Sequence, residues 1–222
     1  MMTIASPMNA TRERILAAAA HILSRRGVAG TRLADIAAHA QLRTPAVYYY
    51  FRSRNELVAE VMREGQRRVR EHVQHAISSA PPETPVIDLI DAAVAAHLRI
   101  ELELSDFASA VTRNAGQLPP DIVASLHLES AAYHAIWRNL LERLAGSGAL
   151  RPGLDIGIAR MLVVGALNWT AEWWNPDHDS LDNLIATAQS IVRNGLAADR
   201  ATPPLPRDHV RPHETRSIPF KF

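Results

Sequence analysis

Apolar residues recur at helical spacing along most of the chain. The spacing i, i+3, i+4, i+7 is that of one buried helix face. It predicts helices at 10–26, 32–40, 46–51, 56–79, 86–104, 107–115, 121–144, 155–174 and 181–197. Glycine and proline residues separate these segments, and no stretch of the sequence alternates as a strand would. The pattern therefore predicts an all-α protein.

Two short predicted helices, at 32–40 and 46–51, are joined by a three-residue turn. Thr44 is a good N-cap for the second helix, with Pro45 after it at the first helical position, where a missing N–H costs nothing. Together with the preceding helix they form a predicted three-helix head. The two short helices, at 32–40 and 46–51, have the arrangement of a helix-turn-helix, whose second helix enters the DNA major groove.

Three consecutive tyrosines occupy the second of these short helices. Successive side chains on a helix point about 100° apart, so Tyr48, Tyr49 and Tyr50 cannot all face a core. Some of their hydroxyl groups must face solvent or a partner. Three-helix packing with Tyr48 and Phe51 as core is the alternative; we expect Phe51 to be core and Tyr49 to contact DNA.

The segment AVYYYF-RSRNEL resembles the N-terminal domain of the tetracycline-repressor (TetR) family of transcriptional regulators. The resemblance covers roughly 12–62. It departs from the family pattern at Arg43 and Pro45, where small residues are usual, and at Tyr50, where histidine is common. It implies a DNA-binding head with Thr31, Arg32 and Arg54 at phosphate-contacting positions. The expected DNA-contacting residues are Thr31, Arg32, Arg43, Thr44, Pro45, Tyr48, Tyr49 and Arg54.

The predicted helix at 56–79 is long enough to join two modules. Its apolar residues form a ladder of i+4 steps from Leu57 to Ile77, and it spans roughly 33 Å at 1.5 Å per residue. We expect a DNA-binding domain at 1–55, a helical ligand-binding and dimerisation domain at 56–198, and a proline-rich tail at 199–222.

The last two predicted helices carry the largest apolar surfaces. The helix at 155–174 is apolar almost all round, which predicts burial on both sides, and the helix at 181–197 is strictly amphipathic. Adjacent helices of this kind suit a homodimer with a four-helix interface.

The family resemblance implies that the larger domain binds a small-molecule effector. The segment NWTAEWWNP at 168–176 resembles that of members which control fatty-acid or steroid catabolism and respond to acyl-CoA thioesters. Its tryptophans and polar groups would form a wall for an amphiphilic ligand; tryptophans of the core or of a dimer interface are the alternative. The expected ligand-binding residues are His97, Phe107, Arg113, Asn114, Asn168, Trp169, Glu172 and Trp173.

Composition narrows the class of protein. The chain has 222 residues, of which 47% are hydrophobic, 21% are charged and none is cysteine, so it has no disulfide and no thiolate chemistry. Neither a signal-peptide pattern nor an apolar run of membrane length is found, so we expect a cytoplasmic protein. Residues 1–60 carry a net charge of +4 in a chain whose total is +1, an asymmetry typical of a DNA-binding head but also within chance scatter.

The sequence lacks the signatures of enzymes and metal sites. The ten histidines form no H-E-x-x-H pattern, and no G-x-S-x-G, dinucleotide or P-loop fingerprint is present. We therefore expect no metal, no cofactor and no enzymatic activity.

The function expected from these observations is that of a homodimeric repressor, released from a palindromic operator by an acyl-CoA-like or other hydrophobic ligand. Three alternatives stay open: a multidrug- or metabolite-responsive regulator, an activator, and a helical ligand-binding or enzyme domain with a vestigial head.

Overall fold

The computed structural model describes residues 7–114 and 116–198, which fold into ten α-helices and one π-helical segment. The elements are α1 (Pro7–Arg26), α2 (Leu33–His39), α3 (Thr44–Tyr50), α4 (Arg54–Ser78), α5 (Val86–Arg99), the π-helical segment (Ile100–Leu104), α6 (Asp106–Asn114), α7 (Pro120–Ser125), α8 (His127–Gly146), α9 (Ile156–Trp173) and α10 (Leu181–Leu196). Within those ranges the only β pairing is an isolated bridge between Leu150 and Ala197. The predicted all-α fold is confirmed; the proline-rich tail predicted at 199–222 lies outside the described residues.

The described chain divides into two compact units, and each unit is made of two separate stretches of the sequence. Residues 7–70 and 100–130 make up the first unit, and residues 71–99 and 131–198 make up the second. Helices α6 and α7 therefore belong with α1, α2, α3 and most of α4.

The core of the first unit stabilises two helices that are too short to be stable alone. Helices α2 and α3 have seven residues each, about half the length at which an isolated helix becomes marginally stable. Ile36 in α2 and Val47 in α3 are fully buried in one apolar cluster with residues of α1 and α4. Phe51, which ends α3, is buried as expected. Tertiary packing, rather than helix propensity, thus fixes the orientation of α3.

The predicted N-cap of α3 is displaced by one residue. Thr44 begins α3 and Arg43 is its N-cap, while Arg32 is the N-cap of α2. The hydroxyl of Thr31, before α2, donates to the carbonyl of Gly27 at 2.6 Å. Gly27 has a φ of 68° at the end of α1, a conformation that suits glycine and turns the chain out of the helix.

Other predicted boundaries also change. The helix predicted at 86–104 becomes π-helical from Ile100, and the helix predicted at 121–144 breaks at Leu126 into α7 and α8. Ser105 caps α6, since its hydroxyl accepts from the Ala108 amide at 3.3 Å.

Helix α6 is tied to the end of α1 by a fully buried amide side chain. Asn114 accepts a hydrogen bond from the Val28 amide at 2.6 Å and donates to the Leu23 carbonyl at 3.2 Å. A second bond, to the Ala110 carbonyl at 2.7 Å, fixes the Asn114 rotamer against its own helix. Each polar atom of this side chain therefore bonds to backbone.

The other end of α6 is tied as well. Asp106 accepts from the Ser24 hydroxyl at 3.1 Å and lies 3.0 Å from the His21 ring nitrogen Nδ1. Between these ends α6 crosses α4 at Gly65, where an added Cβ would lie 2.3 Å from the Phe107 carbonyl oxygen. Only a glycine permits this approach without a shift of backbone.

In the second unit, Arg193 of α10 bonds to the carboxylates of Asp88 and Asp91 on α5. These bonds raise the pKa of Arg193, so the pairing is ionic at every physiological pH. Arg99 also pairs with Asp182 at 2.7 Å. Both ends of the α5–α10 contact are therefore held by ion pairs.

We expect Gly65→Ala to lower the free energy of unfolding by about 1–3 kcal/mol, the usual cost of overpacking, despite the higher helix propensity of alanine. The reason is that the new methyl group would overlap the Phe107 backbone and lie 2.5 Å from the Val111 side chain. Gly146→Ala is the matched control, because its Cβ would meet nothing within 4 Å. Urea unfolding compares the two; equal stability of both variants would contradict the close crossing.

Candidate functional site

The outward face of α3 carries two exposed tyrosines. Tyr48 is 54% exposed and Tyr49 is 74% exposed, whereas Val47 between them and the core is fully buried. Tyr50 is half-buried and packs edge-on against Tyr49, with ring centroids 5.1 Å apart. Two of the three consecutive tyrosines, Tyr48 and Tyr49, thus point outward, in agreement with the helical period, which does not allow all three to face the core.

Basic residues stand at the starts of the two short helices. Arg32 and Arg43 are exposed N-cap residues, and neither helix start is capped by a side-chain hydrogen bond. Pro45 is exposed and Thr44 is half-buried next to Arg43. A helix face with phenol hydroxyls beside guanidinium groups offers donors for phosphate oxygens and for base edges.

Two of the eight predicted DNA-contacting residues are used inside the protein. Thr31 is buried, and its hydroxyl bonds to Gly27. The Arg54 guanidinium donates to the carbonyl of Thr31 at 3.1 Å and to the carbonyl of Val28. Arg54 therefore anchors the link between α1 and α2 to the start of α4. The other six residues are exposed or half-exposed.

The residues predicted to bind ligand fall in both units. Phe107, Arg113 and Asn114 lie on α6 in the first unit, where the Arg68 guanidinium stacks 4.0 Å from the Phe107 ring. Asn114 is occupied by the bonds to α1, and Arg113 is exposed. His97 lies on α5 in the second unit and is fully buried.

The remaining four predicted ligand-binding residues lie on α9, where the tryptophans point outward. Trp169 is 64% exposed and Trp173 is 57% exposed, and they continue a stripe that begins with the exposed Ile158 and Leu162. Asn168 is half-buried, and Glu172 is exposed between the tryptophans. The burial predicted for both sides of this helix is therefore wrong for the single chain. A large exposed apolar stripe is typical of an interface with another protein, which favours the dimer-interface interpretation.

A buried cluster of polar aromatic residues lies between α5 and α8. His97 Nδ1 lies 2.5 Å from the Tyr133 hydroxyl oxygen, and the two rings stack with centroids 5.9 Å apart. Tyr133 in turn meets the Trp137 ring edge-on at 6.4 Å. The i, i+4 spacing of Tyr133 and Trp137 on one helix can be read from the sequence, whereas their pairing with His97 depends on tertiary packing.

His134 lies beside this cluster and is held neutral. Burial, followed by the positive charges of Arg160 and Arg138, lowers the pKa of His134 to about 4. Its ring also meets Tyr133 at a steep angle, with centroids 5.9 Å apart. This side of α8 therefore combines neutral aromatic donors with two nearby cations.

In the part of the chain that the structure describes, no three His, Asp or Glu side chains come together as a metal site would need. None of the helices in 7–114 and 116–198 combines the length and apolarity needed to cross a membrane.

Two family models match this chain. Residues 15–61 match the bacterial regulatory proteins of the tetR family, and residues 83–196 match the tetracyclin repressor-like C-terminal domain. The chain belongs to the TetR family. The resemblance seen in the sequence is thereby confirmed for both parts of the chain.

Relatives of this TetR-family protein share its length. The HTH-type transcriptional repressor KstR2 of Rhodococcus jostii is 24% identical over 193 residues, which cover 84% of this chain and 91% of KstR2. AibR, solved in complex with isovaleryl coenzyme A and operator DNA, has a TM-score of 0.72 at 19% identity and covers 82% of this chain and 96% of its own. FadR of Bacillus subtilis, solved with stearoyl-CoA, has a TM-score of 0.70 at 18% identity, with 82% and 98% covered. At these identities the structures show a shared fold.

The low pKa of His134 predicts a loss of stability in acid. The unfolded chain takes up this proton near pH 6.5 and the folded protein only near pH 4, so stability falls as the pH drops through that window. We expect His134→Gln to lose less free energy of unfolding than the wild type between pH 7 and pH 4. His127→Gln, at an exposed histidine of the same helix, is the control. Urea unfolding at several pH values measures this loss. An equal loss of free energy of unfolding in wild type and His134→Gln between pH 7 and pH 4 would refute the assignment.

Proposed function

We propose that this TetR-family protein is a homodimeric repressor that binds operator DNA through α3 and is released by an acyl-CoA-like hydrophobic ligand. The observation that carries the proposal is the outward pair Tyr48 and Tyr49 on a short helix docked by a fully buried Val47. It would act in the cytoplasm, where its operator lies.

The head suits DNA because its reading residues stand on a rigid support. Packing fixes α3, so Tyr49 and Thr44 reach base edges or phosphates without first ordering a loop. Arg32 and Arg43, at two helix starts, would bind phosphate oxygens and set the register on the duplex. Arg54 acts indirectly, by holding the link before α2 in place.

Dimerisation follows from the apolar stripe on α9. Leu162 is 68% exposed in the single chain, and Ile191 on α10 is 69% exposed. A second copy would cover both helices and place two heads on one palindrome, since a symmetric dimer reads two half-sites.

The ligand assignment is supported by the family relatives. AibR and FadR, which share this fold, are solved with isovaleryl coenzyme A and stearoyl-CoA respectively. If such a ligand releases the operator, it must bind the DNA-incompetent conformation more tightly. By linkage, bound DNA must then lower the affinity for the ligand by the same factor.

We expect the double variant Arg43→Ala, Tyr49→Ala to bind operator at least about tenfold more weakly, because it removes a phosphate contact and a base-edge contact worth roughly 1–3 kcal/mol. The operator is obtained by selection from random duplexes, and affinity is measured by fluorescence anisotropy at fixed salt. Leu128→Ala, at a residue 86% exposed on α8, is the control. Wild-type affinity in the double variant would exclude α3 as the reading helix.

We expect Leu162→Asp to convert the dimer to a monomer, because it places a charge within an apolar interface without a partner. Sedimentation velocity measures the change. Leu128→Asp introduces the same charge at an exposed leucine outside the stripe and should remain dimeric. A dimeric Leu162→Asp variant would show that another surface pairs the chains.

A further inference from the structure

We propose that α8 carries the anchor for the polar end of the effector. In this site the buried Trp137 indole N–H donates to the carbonyl oxygen of an acyl ligand, and the Arg160 guanidinium binds an anionic oxygen of the same ligand. This inference rests on the proposed function, because it names the atoms that would recognise the ligand. The ligand class is an acyl thioester or another carbonyl compound with a negative charge.

Trp137 supplies the first part of the argument. It is 1% exposed, and its indole Nε1 has no hydrogen-bond partner among the described residues. A buried donor left unpaired costs about 1–3 kcal/mol, and buried indole N–H groups usually find an acceptor. No described protein group accepts this bond, so the indole N–H is available to an acceptor on a bound molecule.

The surroundings of Trp137 fix the direction of that donor. Tyr133 packs edge-on against the indole and is itself held through its hydroxyl by the fully buried His97. Three aromatic rings on two helices restrain one another, so the donor is positioned before a ligand arrives. Their flat faces would contact the carbons next to the carbonyl group.

The second part of the argument is the charge next to this cluster. The Arg160 Nε is buried and has no hydrogen-bond partner in the described part of the chain. Neither Arg160 nor Arg138 forms an ion pair with a described residue. Burial and the charge of Arg138 lower the pKa of Arg160, and both cations act on His134, which is three residues before Trp137 on α8.

Both unpaired groups are donors, and one of them is a cation. A partner common to both would offer acceptor oxygens and negative charge. A neutral hydrocarbon would leave both donors unpaired, and a cationic compound would be repelled by the two arginines. A ligand that carries both a carbonyl oxygen and an anionic group, as an acyl-CoA does, meets both requirements.

The test is isothermal titration calorimetry of the full chain without DNA, with stearoyl-CoA, isovaleryl-CoA and the stearyl thioether of CoA, which lacks the carbonyl oxygen. We expect Trp137→Phe to weaken binding of the better thioester by at least about fivefold, since it removes the N–H and keeps an aromatic ring. The thioether should bind wild type and Trp137→Phe equally. Leu128→Ala, at an exposed leucine of the same helix outside the stripe on α9, is the control.

Arginine variants test the charge. We expect Arg160→Gln to weaken thioester binding and to reduce its dependence on salt, whereas Arg143→Gln, at an exposed arginine of α8, should change neither. The melting temperature of each variant is measured as well, so that loss of the site can be distinguished from loss of the fold.

Three outcomes would overturn the anchor: Trp137→Phe binding the thioester as Leu128→Ala does, the wild type binding thioether and thioester equally, or binding of planar cationic compounds alone. If the wild type binds no thioester, the anchor and the ligand assignment both fail. DNA binding is judged separately, by the operator titration.

Discussion

The backbone of Val28 is the point at which three helices of the first unit are joined. Its amide donates to Asn114 at the end of α6, and its carbonyl accepts from Arg54 at the start of α4. Val28 itself follows directly after Gly27, which ends α1. Because the backbone of one residue holds α1, α4 and α6 together, the chain that leads into α2 and the reading helix α3 has a fixed starting point.

This joint makes α6 part of the head. Asp106 holds one end of α6 to α1, Asn114 holds the other end, and Gly65 lets α6 lie directly against α4 between them. The bonds of Asn114 are buried and costly to break, whereas those of Asp106 are partly exposed, so we expect α6 to be coupled to α1 mainly through Asn114. In the proposed regulator, a displacement of α6 would carry the end of α1 with it and so reach α3.

Periodicity was enough to predict the all-α fold, most helices and the outward tyrosines, because helix geometry alone forbids burial of Tyr48, Tyr49 and Tyr50 together. It failed where tertiary contacts decide. The break at Leu126 and the π-helical turn at Ile100 lie inside patterns that read as continuous helix. Asn114 looked like a ligand-binding polar residue, since nothing in the sequence shows that its amide bonds to the end of α1. The unpaired donor of Trp137 is visible only once its neighbours are placed.

The central claim is that head and α6 form one structural unit, so that operator binding depends on a side chain outside the helix-turn-helix. The most direct measurement is the operator affinity of Asn114→Ala, compared with Asn194→Ala at an exposed position of α10, under conditions where circular dichroism shows unchanged helix content. Loss of the bonds to Val28 and Leu23 should weaken operator binding by about tenfold or more. Thioester binding, measured in the absence of DNA, should be unchanged. Wild-type operator affinity in folded Asn114→Ala would contradict the claim.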